Sequence, residues 1–298
     1  MRTGFKISFS WFSVMNTTVF AIFTLACIFP FYYLFINTIS NNDLSDKGLI
    51  MFVPQGIHFT NYEQVLKIPG LLTSIAVSVS RTVLGTLVTV AASAFLGYLF
   101  TKNAMWGRKF WYRFLVVTMY FNAGLIPWYL VMLHLGMTNN FLAYILPQAV
   151  SPFFIILVKT FVESTPAALQ ESAEMDGAGY LVIFYRIVVP LVKPILATIT
   201  IFSAVTQWNM FTDTLFLITD SKLFTLQFIL YRYMNEATSL AALMKSMQGS
   251  SGMNIANMVN PTTIRTTVSM FVVAPIVLVY PFFQRYFVKG ILIGSVKG

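Results

Sequence analysis

The chain has 298 residues, of which 57% are hydrophobic and 10% are charged, and its formal net charge is +9. A soluble domain carries roughly 25% charged residues, so this composition excludes a water-soluble globular fold and predicts an integral membrane protein. In such a protein the basic excess does not predict nucleic-acid binding, because its meaning depends on which side of the membrane the charges lie.

Six membrane-spanning helices are predicted, which makes the fold class all-α. A spanning helix needs about 20 mostly apolar residues, and stretches without Asp, Glu, Lys or Arg supply them. One stretch, 114–158, is too long for a single span and contains the polar turn 134–140, so we divide it into two helices. The predicted spans are 14–38, 75–101, 111–133, 141–162, 191–212 and 265–286.

The distribution of basic residues predicts that both termini lie in the cytoplasm. With this orientation the inner segments carry about twice as many Lys and Arg as the outer segments, which satisfies the positive-inside rule. Residues 163–190 then form a cytoplasmic loop, and residues 213–263 form a long external loop. The whole chain, 1–298, is predicted to be one transmembrane domain.

The second predicted span carries a stripe of small residues and an arginine. Gly85, Thr89, Ser93 and Gly97 recur every four residues, a spacing that predicts close packing against another helix. Arg81 would cost about 2.5–3.5 kcal/mol at the centre of a membrane. Two interpretations are open: its side chain extends to the outer interface, or it faces a path for the substrate.

Further polar residues inside the spans are candidates to line that path. Asn122 lies in the third span, and Gln207, Trp208 and Asn209 follow one another in the fifth. Amides can read sugar hydroxyls, and the indole ring can stack on a pyranose. The alternative is that these side chains make hydrogen bonds between helices, with the tryptophan at the membrane interface.

The loop after the fourth span is acidic and contains a spaced motif. The sequence ESA, which begins at Glu171, is followed after three residues by Gly177 and, nine residues further on, by IVVP, which ends at Pro190. This pattern resembles the EAA signature of the permease subunits of ABC importers, which has Glu-Ala-Ala, Gly and Ile-x-Leu-Pro at the same spacing. Ser172 and Val189 depart from that signature, both conservatively.

The resemblance implies a short coupling helix in this loop that docks on an ATP-hydrolysing subunit. Pro166 suits the first turn of such a helix, and Ser164 or Thr165 is expected to cap it. The resemblance assigns the coupling role to Glu171, Ser172, Ala173, Asp176, Gly177, Ala178, Ile187 and Pro190.

Other segments extend the resemblance towards carbohydrate permeases. The ending QRYFVKGILIGSVKG is similar to that of maltose-type permeases, which implies that the tail contacts the ATPases through Gly294, Ser295, Val296, Lys297 and Gly298. VPQGIHFTNYEQVL, residues 53–66, is similar to the segment after the first span in sugar permeases. YFNAGLIPWYL, TLQFILYRYMNEAT and IGSVKG resemble a subgroup that imports oligosaccharides, including those built from uronic acids.

The family implies a protein that works only in an assembly, within the bacterial cytoplasmic membrane. Its expected partners are a second, different permease chain, two ATP-binding cassette subunits, an external solute-binding protein, a carbohydrate and membrane lipid, with no nucleic acid. The chain has no Gly-x4-Gly-Lys-Ser/Thr motif, so we predict that it is not an enzyme, holds no cofactor or metal, and leaves ATP and magnesium to its partners.

Two other transport functions remain open from the sequence. A permease for amino acids or peptides would share the loop motif. A secondary transporter would work alone, but it usually needs a carboxylate or histidine relay inside its spans, and the predicted spans contain no Asp or Glu.

Overall fold

The structure is a computed structural model that describes residues 11–235, 265–279 and 281. The regular structure of these residues is helical, and no strand occurs among them. The helices are α1 Trp11–Thr38, α2 Asn42–Asp46, α3 Thr60–Leu66, α4 Leu71–Leu99, α5 Arg108–Tyr120, α6 Leu125–His134, α7 Pro152–Glu163, α8 Ala168–Met175, α9 Tyr180–Ile183, α10 Val189–Leu191, α11 Lys193–Asn209 and α12 Thr212–Leu217, and a further helix spans Arg265–Val279.

The described residues up to Lys67, together with those from Tyr233 to Phe271, form one compact unit. Its main element is α1, a 28-residue apolar helix with only 6% of its most apolar window buried. So large an apolar surface is stable in lipid or against another chain, but not in water. At the end of α1, the amide of Asn61 donates to the carbonyl of Thr38 over 2.8 Å.

The second unit contains the described residues from Ile68 to Arg232 and those from Val272 onwards. Its 29-residue helix α4 packs against both α7 and α11. A Cβ added at Gly97 would lie 2.8 Å from the Cβ of Val158 on α7, and one at Gly85 would lie 2.5 Å from the amide of Gln207 on α11. The prediction that the small-residue stripe mediates close helix packing is therefore confirmed.

The part of this unit next to the 163–190 loop has an apolar core. Tyr98 of α4, Val158 and Val162 of α7 and Ile183 and Phe184 of the 163–190 loop are buried against one another. The core extends across elements that lie far apart in the sequence, so it fixes the loop to the two helices beneath it.

The helices differ from six uninterrupted spans. Among the described residues, α1 and α4 are long and apolar enough to cross a membrane on their own, and up to four helices qualify if each bent pair counts as one. One pair, Phe141–Gln148 with α7, is bent by 46°, and the other, Tyr180–Leu191 with α11, is bent by 80°. Six spans are therefore not confirmed, although α1 and α4 match the first two predicted ones.

The third predicted span is interrupted by a polar turn. Helix α5 ends at Tyr120 and α6 begins at Leu125, and Gly124 between them has a φ of 88°. The Asn122 carboxamide accepts a hydrogen bond from the Gly124 N–H over 2.9 Å. Apolar content predicted a continuous helix, because aromatic neighbours hide this short Asn-Ala-Gly turn.

Candidate functional site

The 163–190 loop contains the helix that the sequence predicts, but this helix begins later than expected. The hydroxyls of Ser164 and Thr165 donate to the carbonyls of Phe161 and Val162 and thus complete the end of α7. The N-cap position of α8 is occupied by Ala167, whose side chain has no acceptor. The predicted cap by Ser164 or Thr165 is therefore wrong, because both hydroxyls serve the preceding helix.

A sharp bend at Gly177 closes this helix. Gly177 has a φ of +81°, in the left-handed region that side chains other than glycine rarely adopt. The N–H of Gly177 donates to the carbonyl of Glu174, and the N–H of Ala178 donates to that of Ala173. No described atom lies within 4 Å of a Cβ added at Gly177, so backbone conformation rather than crowding requires glycine in this chain.

Helix α8 has an inner face and an outer face. Ala173 and Ala178 pack against the apolar core of α4 and α7. Glu171, Met175 and Asp176 are exposed, with Met175 88% accessible. An exposed methionine beside carboxylates is an adaptable apolar contact with charged neighbours, a surface suited to another protein.

The end of the motif connects the loop to α11. Ile187 lies in a wide helical turn, Phe184–Val188, and packs against the same apolar core. Pro190 lies in the short helix α10, immediately before the 80° bend into α11. The motif residues thus occupy one continuous stretch from an exposed helix to the base of a long apolar helix.

Arg81 is buried and fully surrounded by protein. Its side chain is 1% exposed, and its guanidinium forms an ion pair with Asp213 through both carboxylate oxygens. Its Nε donates to the Oε1 of Gln207 over 3.0 Å, and its Nη1 donates to the carbonyl of Met210 over 2.9 Å. The interpretation that Arg81 extends to the outer interface is wrong, since these partners hold it inside the protein.

This ion pair is the centre of a larger polar network. The ring of Tyr144 lies 4.6 Å from the Arg81 guanidinium carbon. The Tyr144 hydroxyl accepts from the Thr214 hydroxyl and donates to the carbonyl of Leu223. The network therefore fixes α4, residues 141–144 and the segment that follows α11 to one another.

Asp213 is the main residue that the sequence interpretation missed. The charge count by side of the membrane treated it as a solvated external carboxylate, whereas it is 4% exposed. A signal was available, because Asp213 is the first acidic residue after the fifth span and lies six positions after Gln207. Its partner is 132 residues away, and no local pattern pairs them.

The polar residues of the fifth span make bonds within the protein. Beyond the bond of Gln207 to Arg81, the indole N–H of Trp208 donates to the carbonyl of Val272 over 3.0 Å. Asn209 is exposed and donates to the carbonyl of Val205, one turn earlier. Gln207 and Trp208 therefore have the helix-to-helix bonds of the alternative interpretation, and the tail residues Gly294 to Gly298 lie outside the described residues.

Comparison with known families identifies the chain. Residues 90–293 match the model of the family described as binding-protein-dependent transport system inner membrane component. The chain belongs to this family. The interpretation of the loop motif as that of an ABC importer permease is thereby confirmed.

Individual relatives cover nearly the whole chain. Protein LplC of Bacillus subtilis is 35% identical over 91% of this chain and 90% of its own length. The polygalacturonan/rhamnogalacturonan transport system permease protein YtcP of the same species is 33% identical over 93% of this chain and 94% of its own. These matches support the resemblance to carbohydrate permeases that the sequence indicates.

A solved structure shares the fold. A chain of a bacterial ABC transporter involved in the import of the acidic polysaccharide alginate superposes with a TM-score of 0.80 and 29% identity. The match covers 93% of this chain and 96% of the other. The bent and interrupted helices described above therefore belong to the type I ABC permease fold.

Proposed function

We propose that this chain is one of two membrane subunits of an ATP-driven importer for an acidic oligosaccharide. The observation that carries the proposal is the fold match to the alginate importer over 93% of the chain. A permease named for polygalacturonan and rhamnogalacturonan, which are also built with uronic acids, supports it independently at 33% identity. The two substrates share carboxylated sugar rings, so we assign a uronate-containing oligosaccharide to this chain.

The proposed topology has six membrane crossings with both termini in the cytoplasm. Each bent helix pair is one crossing, and α5 with α6 forms another that is interrupted at Asn122. This arrangement places the 163–190 loop in the cytoplasm, as the positive-inside rule requires. Cysteines introduced at Lys109 and Ser250 test it: an impermeant reagent added from outside should label the second and not the first.

The chain itself performs no chemistry in this proposal. Two partner ATPases bind ATP and magnesium, and their closure moves the membrane helices through α8. Support comes from the two faces of α8, since Ala173 packs on the core while Glu171 and Met175 remain exposed. An external binding protein delivers the sugar, and a second permease chain completes the pathway.

The residues proposed to line the pathway now divide into two groups. Asn122 and Asn209 are exposed and have amides that can bind sugar hydroxyls. Arg81, Gln207 and Trp208 support the pathway wall from behind, because Arg81 bonds to the Oε1 of Gln207 and the indole N–H of Trp208 bonds to Val272. Arg81 therefore contributes through the position of α4 and α11, and not by presenting its guanidinium to a carboxylate of the substrate.

A ligand panel on the cognate external binding protein tests the substrate class. Oligogalacturonate and other uronate oligomers should bind, whereas the same oligomers with each carboxyl reduced to an alcohol should bind far more weakly. Selective binding of amino acids or peptides would replace the proposal with another solute class. Transport by this chain alone in liposomes, driven by an ion gradient, would refute an ABC importer.

A further inference from the structure

The turn that follows α4 carries a lysine that contacts the 163–190 loop at two places. The Nζ of Lys102 donates to the Oε1 of Glu174 on α8 over 2.8 Å. The same nitrogen lies 5.2 Å from the ring centroid of Tyr98 on α4 and 5.5 Å from that of Tyr180 at the start of α9. One ammonium group thus touches the loop both before and after the bend at Gly177.

The surrounding contacts limit where this ammonium group can go. The Tyr98 hydroxyl donates to the backbone carbonyl of Tyr180 over 3.2 Å, which keeps both residues close to the lysine. The side chain of Lys102 is 15% exposed and that of Glu174 is 44% exposed. An ion pair with this burial is less screened by salt than a fully exposed pair, and cation–π contacts add to it.

Lys102 stays charged under physiological conditions. Burial lowers its pKa, but the hydrogen bond to Glu174 and the charges of Tyr98 and Glu174 outweigh that effect, so the pKa lies above its usual value of 10.5. A change of pH near neutrality therefore does not remove the charge on which the contact depends.

From these contacts we infer that Lys102 is a positioning residue that makes α8 move together with α4 when the partner ATPases close. This inference deepens the proposed coupling function and rests on it. The apolar core against which Ala173 packs limits how far α8 can move away from α4. Lys102 adds contacts on both sides of the Gly177 bend, with Glu174 before it and Tyr180 after it. Without the Lys102 contacts, α8 would tilt about Ala173 and transmit less of the ATPase movement to α4.

The chain supplies a matched control in another ion pair. Lys159 donates to Glu163 over 2.7 Å, and the side chains are 17% and 48% exposed, respectively. The Nζ of Lys159 lies 4.8 Å from the centroid of the Tyr112 ring. These values are close to those of the Lys102 pair. However, Lys159 and Glu163 both lie on α7, one turn apart, so loss of this ion pair separates no elements.

The first experiment compares Glu174→Gln with Glu163→Gln in the complete importer reconstituted in liposomes. The ratio of substrate-stimulated to basal ATPase activity should fall about fivefold in Glu174→Gln and in Lys102→Met, the scale of effects seen along coupled elements. Glu163→Gln should leave the ratio unchanged, and Lys102→Arg, which keeps the charge, should retain most of it. The Lys102→Met/Glu174→Gln double variant should be no worse than Lys102→Met alone, because the lysine substitution already removes the bond to Glu174.

A second measurement does not depend on the substrate. Spin labels at Ala91 on α4 and Ala168 on α8, in a Cys27→Ser background, report the distance between these helices with and without ATP. The distribution should be narrow in both states for the wild type and Glu163→Gln, and broad for Lys102→Met. A narrow distribution in Lys102→Met, or an unchanged ATPase ratio in Glu174→Gln, would overturn the inference. Failure of every oligosaccharide to stimulate the wild type would instead refute the proposed function.

Discussion

The first half of α4, which contains Arg81, and the turn after its last residue, which contains Lys102, are joined to distant segments by ion pairs of different character. Arg81 and Asp213 have side-chain exposures of 1% and 5%, whereas Lys102 and Glu174 have exposures of 15% and 44%. The first pair bonds both carboxylate oxygens and recruits Gln207 and a backbone carbonyl. The second pair is a single hydrogen bond from Lys102 to Glu174, and two tyrosine rings lie near the ammonium group.

This difference separates a fixed end of α4, at Arg81, from an adjustable end, at Lys102. A buried ion pair is costly to break, because the remaining charge has no water to solvate it. A partly exposed pair contributes little to stability, since water replaces the lost partner. The Arg81 network therefore determines how α4, residues 141–144 and the segment after α11 pack, while Lys102 affects the orientation of α8 with little effect on folding.

The largest expected effect is the loss of Asp213. Asp213→Ala leaves the Arg81 charge buried without a counter-ion, so we expect destabilisation of about 3–5 kcal/mol. Thermal unfolding of the detergent-purified subunit measures this effect, with the fraction that remains monodisperse recorded at each temperature. The double variant Arg81→Leu/Asp213→Leu should unfold at a higher temperature than Asp213→Ala, because it removes both charges. An unfolding temperature of Asp213→Ala equal to that of the wild type would show that the two ends do not differ in this way.

The second prediction concerns the Gly177 bend of the loop that Lys102 contacts. Gly177→Asp should leave the subunit in the membrane and abolish substrate-stimulated ATPase activity, because a charged side chain would enter the contact with the ATPase. Gly177→Asn controls for the backbone, because asparagine has the shape of aspartate without its charge and tolerates a positive φ. We expect Gly177→Asn to retain part of the stimulation. Normal stimulation in Gly177→Asp would contradict a docked loop.

The third prediction tests whether α4 and α7 form the rigid base of the loop. Gly97→Ala places a methyl group 2.8 Å from two carbon atoms of Val158, so it should lower stability by about 1–3 kcal/mol through overpacking. Gly179→Ala is the control, because no described atom lies within 4 Å of a Cβ at that position and its φ is −70°. Equal unfolding temperatures for the two variants would mean that the α4–α7 contact tolerates separation.

The smallest expected effect is that of alkaline pH on the Lys102 contact. Its pKa is raised above the unfolded value of 10.5, so its stabilising contribution is fully present below that pH and is lost as the pH rises through the folded-state value. The ratio of stimulated to basal ATPase activity should therefore show no lysine-dependent loss between about pH 7 and 9. A fall in this ratio between about pH 7 and 9 that Lys102→Arg prevents would mean that Lys102 loses its proton at a lower pH. The contact would then be weaker than the structure indicates.

Sequence patterns predicted the local features of both ends but not the bonds between them. Four-residue spacing revealed the packing stripe of α4, and the motif ending at Pro190 located the loop that contains α8, because both signals are contiguous. The Arg81–Asp213 and Lys102–Glu174 pairs join residues 132 and 72 positions apart, so only the tertiary fold brings them together. The interruptions near Asn122 and Pro190 were missed for another reason: apolar content measures affinity for lipid and is insensitive to where a helix bends.

The most direct test of the proposed function is uptake by the complete importer in liposomes, with ATP on the cytoplasmic side and the external binding protein outside. Labelled oligogalacturonate should accumulate, and its uptake should require ATP and every partner subunit. The carboxyl-reduced oligomer of the same length should accumulate far more slowly, because it lacks the charges that define the proposed substrate class. Equal uptake of the two oligomers would contradict an acidic-oligosaccharide permease and indicate an importer that recognises neutral sugar surfaces.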